Sequence, residues 1–175
     1  LEIPGETDLM AVFDAVKKMK ITPYEDVVLD KPLIETIPTP SKVITEAHTE
    51  ELGVTEWTLE NGVRIILKPT DFKNDEVLFS ARSPGGSSLV DDNKYVAAMT
   101  ATSLIKEAGI GQFNQIQLDK MLAGKIARVN PYIGGIEEGF NGSASPQDLE
   151  TLFQLIYLYF SAPRLDSSAF LAYQE

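Results

Sequence analysis

Between Trp57 and Lys68 apolar and polar residues alternate on either side of an Asn61-Gly62 pair. Alternation of period two marks a half-buried strand, and Asn-Gly between two such runs predicts a tight hairpin with a type I′ turn, both residues at positive φ. Glu76 to Arg82 reads as a third strand, and Ser83-Pro84-Gly85-Gly86-Ser87-Ser88 as a loop. The period then lengthens. Asp91 or Asp92 is placed to cap a helix that carries Ala98, Met99, Thr102 and Ile105 on one face and stops at Gly109. A short helix over 114–122 follows, then strands over 125–133 and 137–144 around Gly134-Gly135. Pro131 has no N–H to give to a ladder, so its strand belongs at a sheet edge or a bulge. Ser145-Pro146-Gln147-Asp148 predicts the start of a helix with Leu149, Leu152, Phe153, Ile156, Tyr157 and Phe160 as its apolar face, ended by Ala162-Pro163. Asp166 or Ser167 opens another. Strands and helices come in blocks without βαβ alternation. The pattern predicts an α+β fold, a mostly antiparallel sheet with helices packed on one face.

The stretch before the hairpin differs in character. Leu9, Val12, Phe13, Val16 and Met19 recur at helical spacing behind Thr7-Asp8, with Lys17, Lys18 and Lys20 at the end favoured by the helix dipole. With no preceding element to pack on, residues 1–20 read as the last helix of a preceding domain. Residues 21–50, with Pro23, Pro32, Pro38 and Pro40, read as an extended linker held on a surface, since Val27, Val28, Leu29, Leu33 and Ile34 are too apolar for a free tether. Residues 51–175 read as the first part of an α+β domain. A chain that opens on Leu1-Glu2 and ends within a helical pattern is expected to be a piece of a longer one.

Composition narrows the chemistry. The 175 residues, 43% of them apolar, are enough for a core. A net charge of −11 opposes binding to phosphate backbones, so no nucleic-acid partner is expected. There is no cysteine, hence no disulfide, thiolate zinc site or cysteine nucleophile. No apolar run is long enough to span a bilayer. His48 is the single histidine, among Glu46, Thr49, Glu50 and Glu51, and reads as a solvated linker residue rather than a metal ligand. A His-paired triad is excluded, and no motif supports a Ser–Lys arrangement. Glu137 and Glu138 are neighbours on a strand and point to opposite faces, which makes them a surface pair rather than an acid–base couple. Gly85-Gly86 lacks the residues of a phosphate loop. Of Tyr157, Tyr159 and Phe160, Tyr159 is the one expected to face outward.

The order of these pieces resembles the M16 family of metallopeptidases (pitrilysin, insulinase and mitochondrial processing peptidase). The resemblance rests on Trp57-Thr58-Leu59-Glu60-Asn61-Gly62-Val63-Arg64, Lys68-Pro69-Thr70-Asp71-Phe72-Lys73, Ser83-Pro84-Gly85-Gly86-Ser87-Ser88, Ser143 to Leu149, and Ser161-Ala162-Pro163-Arg164-Leu165. Trp before Leu-x-Asn-Gly, and Ser-Pro-Gly-Gly, are similar to the second, non-catalytic half of bacterial pitrilysin-type proteins, and Pro32 to Lys42 resembles the connection between the halves. The fold implied is that of the M16/LuxS metallohydrolases, here in part.

Active halves of that family carry His-x-x-Glu-His on the helix after the glycine loop. Two histidines four apart share a helix face and hold one zinc, while the Glu activates its water. Counted back from Gly109, the corresponding positions are Thr100, Ser103 and Leu104, so the resemblance implies a degenerate motif with no metal or catalytic residue in this chain. The position of the third ligand falls past Glu175. Zinc is then expected in the catalytic half, in the same parent chain or a partner subunit. This half would be one wall of a chamber around an unfolded peptide, in the periplasm or cell envelope, with the cytoplasm as the alternative. The alternative is an M16-like scaffold or interaction domain without peptidase activity. The strand at 126–133, which receives substrate in active halves, reads here as structural.

Overall fold

The computed structural model describes residues 3–22 and 31–174. Pro23, Val27, Val28 and Leu29 of the expected linker lie outside the described residues. Helix α1 (Glu6–Lys18) starts earlier than Thr7-Asp8 capping implied. Gly5 is its N-cap, and the Asp8 carboxylate accepts the Gly5 N–H from within the first turn. None of its residues is buried.

Among the described residues the strands form two antiparallel sheets of three rather than one. The first has the order β1 (Val43–Thr49), β2 (Val54–Leu59), β3 (Arg64–Leu67). Strand β1 falls within the stretch read as linker, so the sheet begins at Val43 and not at the Trp57 hairpin. Sequence pattern missed it because Val43 to Thr49 is fully exposed and carries no apolar alternation. The hairpin between β2 and β3 is present with a different turn. Leu59 pairs with Val63 through its N–H, which leaves Glu60, Asn61 and Gly62 in a three-residue loop. Only Gly62 has positive φ, at 84°, and the Asn61 side chain accepts the Val63 N–H instead. This is a type I turn closed by a left-handed glycine; Asn61 holds the loop by its side chain and has no need of the strained conformation.

The second sheet has the order β4–β6–β5, with β4 at Val77–Pro84, β5 at Ala127–Ile133 and β6 at Glu137–Ala144. Pro131 sits on the edge strand β5 opposite Phe140, as its missing N–H requires. Between β4 and β5 run α2 (Tyr95–Ala108) and α3 (Gln115–Met121). In α3 the Asn114 side chain accepts the Gln117 N–H while Gln117 accepts that of Asn114, a reciprocal capping box.

Helix α4 (Leu149–Ser161) makes the core. Leu152, Leu155, Ile156 and Leu158 are buried with Ile110, Phe113, Leu118, Ala127 and Ala144. Here the sequence reading was wrong in detail. Phe153, Tyr157 and Phe160, assigned to the inner face, are exposed at 51%, 39% and 72%, and Tyr159, expected outside, packs against the core. Helix α4 is apolar around most of its circumference, so periodicity alone had no polar face to orient it. Leu33 and Ile34 do lie against this core, and Gln112 clamps the same segment by accepting from Lys31 Nζ and donating to Glu35.

The start of α4 is fixed by a buried carboxylate. Asp148 accepts the Ile126 N–H at 2.9 Å and the Ser145 hydroxyl at 2.8 Å, with Lys125 Nζ at 3.3 Å. The Ile126 amide first, then Ser145 and Lys125, hold its pKa below the usual aspartate value against the opposing cost of burial. A short 3₁₀ turn, Pro146–Asp148, precedes the helix, and Ser145 Oγ accepts the Asp148 N–H. Helix α5 (Ser167–Gln174) starts as expected, with Asp166 accepting the N–H groups of Ser168 and Ala169.

Two outcomes follow from this core. Leu152 is fully buried, so Leu152→Ala is expected to cost about 3 kcal/mol in denaturant titration, as a cavity-forming truncation. Because the folded pKa of Asp148 is depressed, its stabilising effect is complete above about pH 4 and is lost as pH falls through the lowered value. Asp148→Asn should therefore lower the unfolding midpoint at neutral pH and flatten its fall on acidification. Parallel pH profiles for variant and parent would contradict this.

Candidate functional site

The glycine loop sets where α2 begins. As β4 ends, Gly85 N–H donates to Ile136 O, Ser87 N–H to Gly134 O and Ser88 N–H to Gly135 O, each at 2.8–2.9 Å. The loop is thereby sewn to the turn between β5 and β6. Gly86 is buried at φ 67°, and a Cβ there would lie 2.4 Å from Gly134 O and 2.7 Å from Glu137 O. Its N–H donates to Glu138 Oε2 at 2.9 Å. Glu138 thus serves the loop, while Glu137 accepts the Tyr132 hydroxyl at 3.2 Å. Burial first, then the Glu137 charge, raises the Tyr132 pKa. The two glutamates do diverge, and both have structural partners within the fold. Sequence reading missed the Glu138–Gly86 bond, which joins residues fifty-two positions apart and leaves no local signal.

After the loop a 3₁₀ turn, Asp92–Lys94, leads into α2, whose N-cap is Lys94 with no side-chain cap. Neither Asp91 nor Asp92 caps α2 as expected; Asp91 lies 3.9 Å from Lys94 in an exposed ion pair. Further along, Thr100 is half-buried, Ser103 exposed and Leu104 half-buried. The Thr100 hydroxyl donates into its own helix, to Val96 O at 2.9 Å and Ala97 O at 3.3 Å. One engaged hydroxyl, one serine and an aliphatic chain do not form the imidazole and carboxylate donor set that zinc requires, so the three positions do not fit that ion. Among the described residues no three His, Cys, Asp or Glu side chains converge. His48 lies on exposed β1 with Nδ1 3.1 Å from the Thr55 hydroxyl.

A cleft of about 610 Å³ opens between the end of α2, the start of α3 and α5, and is lined by Glu107, Asn114, Gln115, Asp166, Ser168 and Tyr173 among others. Asp166 there is committed to the α5 cap and to Arg164 at 3.2 Å, which hold its pKa below the usual value. A second cleft of about 250 Å³ runs along the β5 edge between Lys106, Leu118, Asn130 and Tyr159. Lys106 Nζ donates to Asn130 Oδ1 at 2.9 Å and ties α2 to that edge. Neither cleft is lined by Thr100, Ser103 or Leu104. Among the described residues no helix is long and apolar enough to cross a membrane.

Comparison with known proteins gives a consistent picture. No protein-family model matches the chain. A zinc protease PQQL-like protein of Arabidopsis thaliana is 29% identical over 141 residues, covering 81% of this chain and 12% of its own length. The probable zinc protease PqqL of Haemophilus influenzae is 24% identical over 130 residues, covering 74% of this chain and 14% of its own. In fold, the chain is similar to the periplasmic protease PqqL of Escherichia coli, with a TM-score of 0.76 at 18% identity over 98% of this chain and 19% of that one. It is also similar to the ferredoxin protease FusC, solved in complex with Arabidopsis ferredoxin, with a TM-score of 0.72 at 18% identity over 95% of this chain and 18% of that one. The chain spans between 12% and 19% of the lengths of these proteins.

The sewn loop makes a paired prediction. Gly86→Ala meets two carbonyl oxygens at an unfavourable φ and should destabilise by about 2 kcal/mol or more. Gly135, in the turn it is sewn to, has open space around it and no positive φ. Gly135→Ala should therefore lie within about 0.5 kcal/mol of the parent or be slightly more stable. Equal denaturation midpoints for the two variants would refute the close approach.

Proposed function

Because the chain is similar along most of its length to a part of the M16-type zinc proteases, we propose that it belongs to the non-catalytic part of such an enzyme. It forms one wall of a chamber that encloses an unfolded peptide. Zinc and the catalytic residues come from the other half, in the same polypeptide or in a partner subunit. Residues 1–20 are then the end of a preceding unit, and the non-catalytic domain starts with β1 at Val43. Periplasmic or cell-envelope residence accords with the E. coli neighbour.

The observation that carries this reading is the helix face at Thr100, Ser103 and Leu104. The glycine loop and α2 are both in place, yet the threonine hydroxyl is turned into the helix backbone and no imidazole or carboxylate stands at the other two positions. A helix that only supports its sheet needs helix formers and modest apolar contact there, which is what the three residues supply.

The test is metal analysis joined to a peptidase assay. The purified chain, dialysed against zinc and then against buffer, is expected to retain less than one equivalent and to cleave no unfolded peptide. The whole polypeptide should bind zinc and lose cleavage on chelation. Stoichiometric zinc with chelator-sensitive cleavage by residues 1–175 alone would overturn the proposal. A whole polypeptide without zinc would favour the scaffold reading.

A further inference from the structure

The sequence contains two Asn-Gly pairs, Asn61-Gly62 and Asn141-Gly142, and the fold treats them in opposite ways. Asn before Gly is prone to lose its side-chain amide, because a residue without Cβ leaves its nitrogen free to approach the preceding side chain. Exposure does not separate the two pairs, since both asparagines are exposed. The difference lies in the backbone nitrogen that must attack.

Gly142 lies in β6, the central strand of its sheet, opposite Phe79 on one side and Val129 on the other. Its N–H is therefore inside a ladder whichever way it points. The fit is close, for an added Cβ would lie 2.4 Å from Arg128 O. Ser80 Oγ donates to Asn141 Oδ1 at 3.2 Å and holds that side chain toward β4. Attack by the Gly142 nitrogen has to wait until strands part.

Asn61 has the opposite setting. It sits in the three-residue loop between β2 and β3, where its Oδ1 accepts the Val63 N–H at 3.2 Å. That bond folds the side chain back across the Gly62 peptide and brings Cγ toward the nitrogen that attacks it. It also aims a donor at the oxygen on which negative charge develops. One bond resists, from the Gly62 N–H to Leu59 O at 2.9 Å. A single exposed hydrogen bond slows the attack by roughly tenfold at most. Parting a ladder slows it far more.

We propose that Asn61, and not Asn141, is a site of spontaneous conversion to aspartate and isoaspartate, and that the isoaspartate form releases the β2–β3 loop from the chain ahead of β1. The Gly62 nitrogen bonds to Asn61 Cγ, the Cγ–Nδ2 bond breaks, and ammonia leaves with the Gly62 proton. Water then opens the cyclic imide at either carbonyl. Aspartate keeps an acceptor for the Val63 N–H. Isoaspartate instead carries the main chain through Cβ and Cγ, which lengthens a loop closed by Leu59 N–H to Val63 O at 2.8 Å. The same loop is hooked to the chain before β1 by Glu60 N–H to Lys42 O at 2.8 Å and Asn61 N–H to Ser41 Oγ at 3.3 Å. A longer loop cannot hold all three bonds.

The experiment holds the full-length polypeptide in warm, mildly alkaline buffer, native in one sample and unfolded in guanidinium in another. Peptides spanning each pair are quantified by mass spectrometry, and isoaspartate is scored by enzymatic methylation of its free carboxyl. Unfolded, the two pairs are expected to convert at like rates. Natively, Asn61 should convert within about tenfold of its unfolded rate, and Asn141 about 100-fold or more below its own. Asn61→Asp should abolish the mass shift in its peptide and keep the Glu60 amide protected from hydrogen exchange, whereas the isoaspartate fraction should exchange that amide faster. Native protection of Asn61 equal to that of Asn141 would overturn the site, whether the loop is closed by itself or covered by the rest of the polypeptide. Native conversion of Asn141 at its unfolded rate would overturn the selection by the fold. Unchanged Glu60 exchange in the isoaspartate form would overturn the release of the loop.

Discussion

How closely α4 can approach its sheet governs the rest of this structure. The floor beneath the helix is made of Ala127, Gly142 and Ala144, and even a Cβ added at Gly142 would come within 3.2 Å of Leu152. Small residues on the strands let Leu152, Leu155 and Ile156 sink to the backbone and bury completely or nearly so. Ile110 and Phe113, fully buried in the tight turn after α2, close the core from the side, and Ile110 bridges to Pro163 beyond the end of α4. Asp148 then fixes where the helix starts relative to Ile126 at the mouth of β5. Close approach and a fixed start together define one position for α4.

Strand β6 and helix α4 were legible in the sequence because their residues carry the local rules. Glu137 to Ala144 alternates between two turn signals, and Ser145-Pro146 announces a helix start by its side-chain chemistry. Pro131 gave away an edge by what it lacks. The failures have physical causes too. Orientation of α4 was misread because Phe153, Tyr157 and Phe160 are as apolar as the residues that face the core. The Asn61-Gly62 pair promised a turn and delivered one, yet its type depended on whether Asn61 used its backbone or its side chain, which dipeptide identity does not decide. Division into two sheets is a matter of long-range pairing, beyond the reach of any local pattern.

The candidate site shows the same division. That Thr100, Ser103 and Leu104 lie on a helix after the glycine loop could be read from the apolar spacing and the stop at Gly109. What the residues do was not legible: the threonine back-bonds into its helix, and the glutamate that looked like half of an acid pair is an acceptor for the loop. Sequence likeness at 24% to 29% is to proteins named as zinc proteases, and fold likeness at a TM-score of 0.72 to 0.76 is to two solved proteases, while Thr100, Ser103 and Leu104 offer no imidazole or carboxylate.

The segment from Lys31 to Glu35 has a mechanical meaning. Leu33 and Ile34 rest on the core, and Gln112 grips Lys31 on one side and Glu35 on the other. A pull on the chain at residue 31 is therefore met at the turn between Ile110 and Phe113, before it can load the first sheet at Val43. The segment works as an anchor point: it sets a short lever for anything attached ahead of it, and it leaves β1 to β3 out of the line of force.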